Sequence, residues 1–404
     1  MVAKTTGIHI EEQLSRYQDQ VETELESILS WWIKYMPDED GSGFNGEVNN
    51  DNTVVQQAAK GLVLNSRILW TFSAAFMHSG KTEYLPMAGR AFRYLSTYFL
   101  DEAYGGMFWS VDAAGNKLMD KKQVYGIAFC IYGLSEYYRA AQIELSLQMA
   151  KDLFYLLEKH SLDTTYGGYL EAFTCSWEPI DDLRLSDKDD NEKKTMNTHL
   201  HVLEAYSNLY KVWKDEQLAK AIVNLLNIFS EKIINPITNQ QQLFFTEEWE
   251  PRSAVVSFGH DIEAAWLLHE AAATLGNAAT VQQFEKMAIQ MADAALAAID
   301  KDGGLWYELN TTTNHLNKEK HWWPQAEAMV GFFNAYQITG NLKYLEASQN
   351  SWTFIQQYLL NKEFGEWNWG IHADGSIMQK EKAGFWKCPY HNSRACMEIS
   401  ERIG

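Results

Sequence analysis

Three histidines, an arginine and two glutamates stand near the starts of separate helical stretches in this chain: His201, His260, His391, Arg67, Glu263 and Glu327. An imidazole of ordinary pKa near about 6.5, set against the positive end of a helix, is disfavoured from protonating and can act as a base at neutral pH. Arg67 has no acid–base range and suits a clamp on a developing negative oxygen. Together they fit proton transfer next to a carbonyl: one neutral histidine takes a proton, another returns one, and fixed positive charge holds the enediolate. Each positioned proton-transfer group is worth roughly two to four powers of ten in rate.

The stretch Thr195–Trp213 shows how such groups are aimed. At i,i+4 spacing Asn197 and His201 share one helical face, with Glu204 three residues on, while His199 points the other way. One histidine of the pair should look into a site and the other should not. Tyr125, Trp323 and Trp386, the last just ahead of His391, fall at the starts of other stretches, and Pro324 and Pro389 mark first turns, where proline is tolerated.

The elements that must position these residues follow a repeat. A Gly-aromatic punctuation recurs as Gly41–Phe44, Tyr104–Trp109, Tyr166–Leu170, Asn239–Phe245, Gly303–Trp306 and Phe364–Trp369, the fourth lacking glycines. Its alternating aromatic runs suit small hairpins. Two helix-like segments lie between marks, such as Lys122–Ala140 with Ile143–His160, and Trp323–Thr339 with Leu342–Leu360. The first after each mark is apolar nearly all round, as in Gly259–Ala273, and must be enclosed; the second, as in Val281–Ile299, is one-sided. Residues 1–404 are therefore expected to form one all-α domain, an (α/α)6 barrel of six inner and six outer helices. An open solenoid of helix pairs is the rival. In the closed form the inner helices run parallel and their first turns meet at one mouth.

The net charge of -19 and the lack of any Lys/Arg cluster argue against nucleic acid and anionic membrane as partners. The first dozen residues carry no apolar signal core, no apolar run reaches membrane-spanning length, and four cysteines without CxxC spacing suit a reducing cytoplasm. A monomer is expected, with a dimer as the alternative. No HExxH is present, and two histidines at i,i+2 diverge on a helix, so no metal is expected; the phosphate-cradling glycine motifs are absent, so no nucleotide cofactor is expected either. Trp249, Trp322, Trp323 and Trp386 offer flat faces for sugar rings, whereas Trp266, inside an apolar run, reads as core. A glycoside hydrolase needs two facing carboxylates, and histidines outnumber acids at the inner-helix starts. A non-catalytic sugar-binding scaffold would explain the tryptophans but not the three in-phase histidines. The charge run Asp181–Lys194 reads as a solvated loop, with closure over the site as the lesser alternative.

Met196–Tyr206, Ser257–Leu268, His321–Ala328 and Lys387–Arg394 resemble, in order and over nearly the whole chain, motifs of the N-acylglucosamine 2-epimerase superfamily, and most closely its cellobiose 2-epimerase branch. The resemblance implies an (α/α)6 barrel that inverts C2 of the reducing-end glucose of a β-1,4-linked disaccharide without metal or nucleotide. It implies His260 and His391 as acid/base residues on opposite sides of C2, His201 as the residue assisting ring opening, and Arg67 as the holder of the enediolate oxygens. Tyr125, Asn197, Glu263, Trp323 and Glu327 resemble contacts to the reacting sugar, Trp386 a stacking platform for the second ring, and Asp189 a substrate contact from the charged loop. An aldose–ketose isomerase of the same superfamily, mannose isomerase-like, and a mannobiose 2-epimerase remain the alternatives, because the same enediolate leads to each.

Overall fold

The computed structural model describes residues 2–38 and 41–404. Twelve helices follow one another among them: α1 (Val2–Tyr35), α2 (Leu62–Ser79), α3 (Leu85–Tyr94), α4 (Val124–Ala141), α5 (Glu144–His160), α6 (Met196–Val212), α7 (Glu216–Ile228), α8 (Phe258–Leu275), α9 (Ala278–Leu296), α10 (Trp322–Thr339), α11 (Leu342–Phe354) and α12 (Tyr390–Ile403). Each even-numbered helix packs on the next even-numbered one, and α12 returns to α2. The odd-numbered helices lie outside, with α1 from the start of the chain set against α12 from its end. That closure makes an (α/α)6 barrel and removes the open solenoid, whose first and last units would not meet.

Burial follows the sequence pattern. Helix α4 is buried from Val124 through Tyr137 without a break, as a helix with neighbours on every side must be. Helix α9 buries only Phe284, Ala288, Met291, Ala292 and Ala295, one stripe at three- and four-residue intervals. Each large apolar side chain so enclosed stabilises the fold by about 1.5–3 kcal/mol.

The marks form short antiparallel hairpins that stitch the mouth of the barrel. The strand entering α4, Lys122–Gln123, pairs with Ala172–Phe173 of the following unit, and Lys194–Thr195 before α6 pairs with Phe244–Phe245. A bridge between Val48 and Ala383 joins the last unit to the first. The glycines in the marks serve backbone shape: Gly168 has φ 81°, and a Cβ there would stand 2.4 Å from Trp249 and 2.6 Å from His199. In the fourth mark Asn239 takes a positive φ of 57° in their place.

Lysines two residues ahead of four inner helices pin these hairpins. Lys60, Lys122, Lys194 and Lys320 reach Asp38, Asp101, Asp163 and Asp300 at 2.8, 2.6, 2.6 and 2.8 Å. This moves the start of the expected 122–140 helix to Val124, because Lys122 is held in a strand by that pair. In unit four the corresponding places hold Val256 with Asn235, so both charges are missing together; in unit six they hold Cys388 with Asn361, and Lys382 reaches the Gly365 carbonyl at 2.7 Å while Lys387 pairs with Glu366 at 3.1 Å.

Candidate active site

Counted from the first residue of the helix, position goes with role in several of the inner helices. The second residue faces the rim of a central cavity: Tyr125 in α4, Asn197 in α6, Trp323 in α10 and His391 in α12. The sixth lies one turn deeper: Arg67, His201 and Glu263 at the floor, with Glu327 just behind it. The fourth turns outward to hold a hairpin. His199 accepts from the Tyr169 backbone N–H at 2.9 Å, Asp261 from that of Gln241 at 2.8 Å and Gln325 from that of Leu305 at 2.7 Å. Second and sixth share a face and the fourth opposes them; His201 therefore enters the cavity while His199 anchors the wall.

The cavity has a volume of about 790 Å³, within the range of small-molecule sites. Arg67, Tyr125, Asp189, Asn197, His201, His260, Glu263, Trp323, Trp386 and His391 all line it. His260 and His391 both pack on Trp323, with ring centroids 4.6 and 5.7 Å from the indole. The Nδ1 atom of His391 donates to Glu327 at 2.7 Å, and that of His201 donates to Glu204 at 2.8 Å. A carboxylate partner fixes the Nδ1–H tautomer and leaves Nε2 with a free lone pair. His260 Nδ1 sits 2.8 Å from Ser257 Oγ, a hydroxyl that can give or accept, so His260 can hold either tautomer.

All three imidazoles are held neutral, chiefly by burial. His260 is pushed down to about 3 by burial and by the neighbouring His201 and His391. His391 is also lowered to about 3, because burial with the nearby Arg67 and Arg394 outweighs the pull of Glu327. His201 is lowered by burial against the pull of Glu204. The sequence-level expectation of neutral histidines holds, and desolvation leads the causes.

Arg67 is the cation of the floor. It is 3% exposed, donates to Tyr125 OH at 2.9 Å and Cys388 Sγ at 3.3 Å, and lies 4.1 Å over the Phe129 ring. It has no ion-pair partner among the described residues. A buried guanidinium without a carboxylate is costly unless an anion arrives.

Glu327 departs from its expected place. It does not line the cavity: Oε1 holds His391 and Oε2 accepts from Trp266 Nε1 at 3.0 Å. At i,i+4 from Trp323 it lies too deep to meet a sugar and instead orients His391. Trp249 is also displaced from the expected rim, packed edge-on to His199 at 5.0 Å and under Lys194. Trp322 lines the wall against Trp369, and Trp266 is core, bonded to Glu327. Segment 181–194 is no detached solvated loop. Leu183, Ser186, Asp189 and Glu192 line the cavity, and the segment is held by Gln123 on the Leu183 carbonyl at 3.0 Å and Lys121 on that of Arg184 at 2.8 Å. Asp189 accepts from Ser186 N at 2.8 Å and Oγ at 3.0 Å.

Two residues escaped the sequence reading. Ser257, the partner of His260, carries no pattern that singles it out. Arg394 had a readable signal, three residues after His391, as Glu204 follows His201 and Glu263 follows His260. It is 1% exposed and donates to Glu204, to Glu263 at 3.0 Å and to Glu327 at 2.7 Å. Glu263, Glu327 and His391 bring ligand-type atoms within 4.8 Å of one another, but the guanidinium already occupies the place where a metal ion would meet the carboxylates.

A family model described as N-acylglucosamine 2-epimerase (GlcNAc 2-epimerase) matches residues 43–395. The chain is 48% identical over 373 residues to cellobiose 2-epimerase of Bacteroides fragilis, a match covering 92% of this chain and 95% of that protein. It is 38% identical over 377 residues to cellobiose 2-epimerase of Ruminococcus albus, covering 93% and 96%. The solved structure of cellobiose 2-epimerase from Bacillus thermoamylovorans superposes with a TM-score of 0.92 at 41% identity, covering 96% of this chain and all of that one. With the barrel, the cavity and these relatives in agreement, the chain belongs to the N-acylglucosamine 2-epimerase family and is a carbohydrate epimerase, an isomerase.

Proposed function

We propose that the chain reversibly inverts C2 of the reducing-end glucose of β-1,4-linked disaccharides, turning cellobiose into glucosyl-mannose and lactose into epilactose. The observation that carries this reading is a pair of imidazoles, His260 and His391, packed 4.6 and 5.7 Å from Trp323 in one cavity with an arginine that has no ion-pair partner among the described residues. A reaction that inverts a C–H centre through an anion needs a base on each face and positive charge beneath.

In this scheme His201, backed by Glu204, takes the anomeric hydroxyl proton; the O–H pair becomes the C1=O bond, the C1–O5 bond breaks onto O5, and His201 passes the proton to O5. The Nε2 atom of His391 removes the C2 proton of the aldehyde; the C–H electron pair becomes the C1=C2 bond, and the carbonyl pair moves to O1 beside Arg67. His260 takes up a proton from the medium before the step, enters it as imidazolium and gives that proton to the opposite face of C2, and His391 afterwards releases the proton it took to the medium. Burial opposes that charged form in the empty cavity, and the enediolate favours it. The reverse reaction exchanges the two roles. Tyr125, Asn197, Glu263, Trp323 and Asp189 contact the reacting sugar, and Trp386, packed 5.9 Å from Trp109 and 6.1 Å from Tyr125, stacks on the second ring.

Incubation with cellobiose and with lactose in heavy water, read by NMR, tests this. Deuterium at C2 of a mannose unit within an intact disaccharide is the expected product. A ketose as main product would make the chain an aldose–ketose isomerase, released monosaccharide would make it a hydrolase, and turnover confined to mannobiose would move the substrate; each outcome overturns the proposal. His260→Ala and His391→Ala are each expected to abolish inversion while leaving the fold intact, and near-normal turnover in either would refute its role.

A further inference from the structure

The two histidine–glutamate pairs are not independent. Glu204 takes His201 Nδ1 on one oxygen and the Arg394 Nη1 group on the other, while Glu327 Oε1 takes both His391 Nδ1 at 2.7 Å and Arg394 Nη2 at 2.7 Å. A continuous chain of charge-assisted bonds, His201–Glu204–Arg394–Glu327–His391, thus runs behind the cavity. Arg394 does not line that cavity. Its guanidinium is clamped between Trp266 at 4.8 Å and Tyr390 at 4.1 Å, and its third carboxylate, Glu263, shares Nη2 at 3.0 Å. One cation therefore faces three carboxylates. Two of them each hold an imidazole N–H, and the third looks into the cavity.

We propose that Arg394 is a positioning residue for the reaction: by bridging Glu204 and Glu327 it aims the Nε2 atoms of His201 and His391 together and links the protonation of the two imidazoles. The inference rests on the two-histidine reading of the site. A planar fork with donors on both arms can hold two carboxylates at fixed separation, which a single ammonium cannot do. Its charge also offsets the carboxylates that would otherwise draw protons onto the imidazoles. Glu204 and Glu327 both stay below the usual carboxylate range: burial alone would raise them, and Arg394 reverses it. Glu263 is raised well above that range by burial and by Glu327, so the cluster sheds part of its negative charge there.

The groups facing Arg394 and its partners come from every side. They are Glu204 and His201 on α6, His260, Glu263 and Glu270 on α8, Glu327 on α10, Tyr125 and Tyr132 on α4, Arg67 on α2, and Tyr390 and His391 on α12 itself. From α1, Glu24 acts on Cys396, farther along α12. Among these only Arg394 touches both glutamate partners of the site histidines. Its loss leaves two buried carboxylates uncompensated beside two imidazoles, which favours the imidazolium forms and raises both pKa values.

The test is the titration of isotope-labelled histidines, followed by NMR in the substrate-free protein, in wild type, Arg394→Gln and Arg394→Lys. In Arg394→Gln the His201 and His391 resonances are expected to titrate higher together, by about one to three pH units, with His260, held by Ser257, moving less. Turnover of cellobiose should fall by about a hundredfold in kcat, with KM altered by less than about threefold, as for a residue that does not touch the sugar. Arg394→Lys, which keeps the charge and loses the fork, should return both titrations toward wild type while kcat stays low. A merely structural arginine would lower thermal stability and leave the titrations in place. Wild-type titration of both histidines in folded Arg394→Gln, or movement of only one, overturns the proposal, as does wild-type kcat in Arg394→Lys. Should Arg394→Gln not fold, the double variant with Glu263→Gln removes the third acidic group that Arg394 held and carries the same titration. The titration needs no turnover, so it stands apart from whether cellobiose is the substrate.

Discussion

Replacing Arg67 with methionine separates a catalytic arginine from a structural one, because the two roles predict opposite changes in stability. The guanidinium is buried, stacked 4.1 Å over Phe129 and 4.7 Å over Tyr390, and has no ion-pair partner among the described residues. Methionine keeps much of the apolar stem and removes the charge. The loss of an oxyanion donor costs about 10²–10³ in kcat, or ~2.7–4 kcal/mol. On the stability side, a buried unpaired charge is penalised by several kcal/mol, and the lost ring contacts return about 1 kcal/mol each. A net gain of about 2 kcal/mol is therefore reasonable. With an unfolding entropy of ~2.1 cal/mol/K per residue, 404 residues give roughly 0.85 kcal/mol/K, so Tm should hold or rise by about 2 °C. Initial rates by NMR on cellobiose and calorimetric Tm on the same samples read both effects. A Tm that falls by more than about 3 °C while kcat stays within about tenfold would make Arg67 a packing residue with no part in holding the oxyanion.

Because His260 and His391 titrate near 3 in the free protein, kcat/KM should not decline between pH 7 and about pH 5. A half-maximal point at or above about 6.5, with circular dichroism unchanged, would show that the bases are not held neutral. His199→Ala should leave kcat within about twofold, yet cost about 1–3 kcal/mol because the Tyr169 N–H loses its acceptor; a large rate loss at unchanged Tm would contradict its role as wall anchor. Since burial lowers His199 to about 4, below its unfolded value, its contribution to stability is complete above about pH 6.5 and fades as pH falls toward 4. The Tm gap between wild type and His199→Ala should accordingly narrow between pH 7.5 and 4.5. Lys194→Val alone strands Asp163 and should cost about 3–5 kcal/mol, whereas pairing it with Asp163→Asn copies the Val256 and Asn235 arrangement already present in unit four and should recover most of the loss. Additive losses in that double variant would mean the pair is more than a hairpin pin.

The repeat, the helix pairs and the inner-versus-outer assignment were legible because they depend on local periodicity: a helix apolar all round has to be enclosed, and the glycines mark backbone shapes that side chains resist. The division of labour between His199 and His201 was legible for the same reason, since two residues on a helix turn a side chain to the far side. Asn235 with Val256 carries a subtler signal, a charge pair deleted at both ends at once.

Depth, and partnership between distant segments, came from the folded chain alone. Glu327 and His201 hold the same place on their helices, yet one reaches the cavity and the other stands behind His391, because side-chain reach and the neighbours across the barrel set depth, and periodicity carries neither. The charged stretch 181–194 reads as a solvated loop by composition, and it lies over the mouth because backbone carbonyls at Leu183 and Arg184 meet Gln123 and Lys121, contacts about 60 residues apart that no local pattern encodes. Arg394 emerges as the centre of the buried charge network only when α6, α8, α10 and α12 converge on it, since the worth of a charge depends on what surrounds it once water is gone.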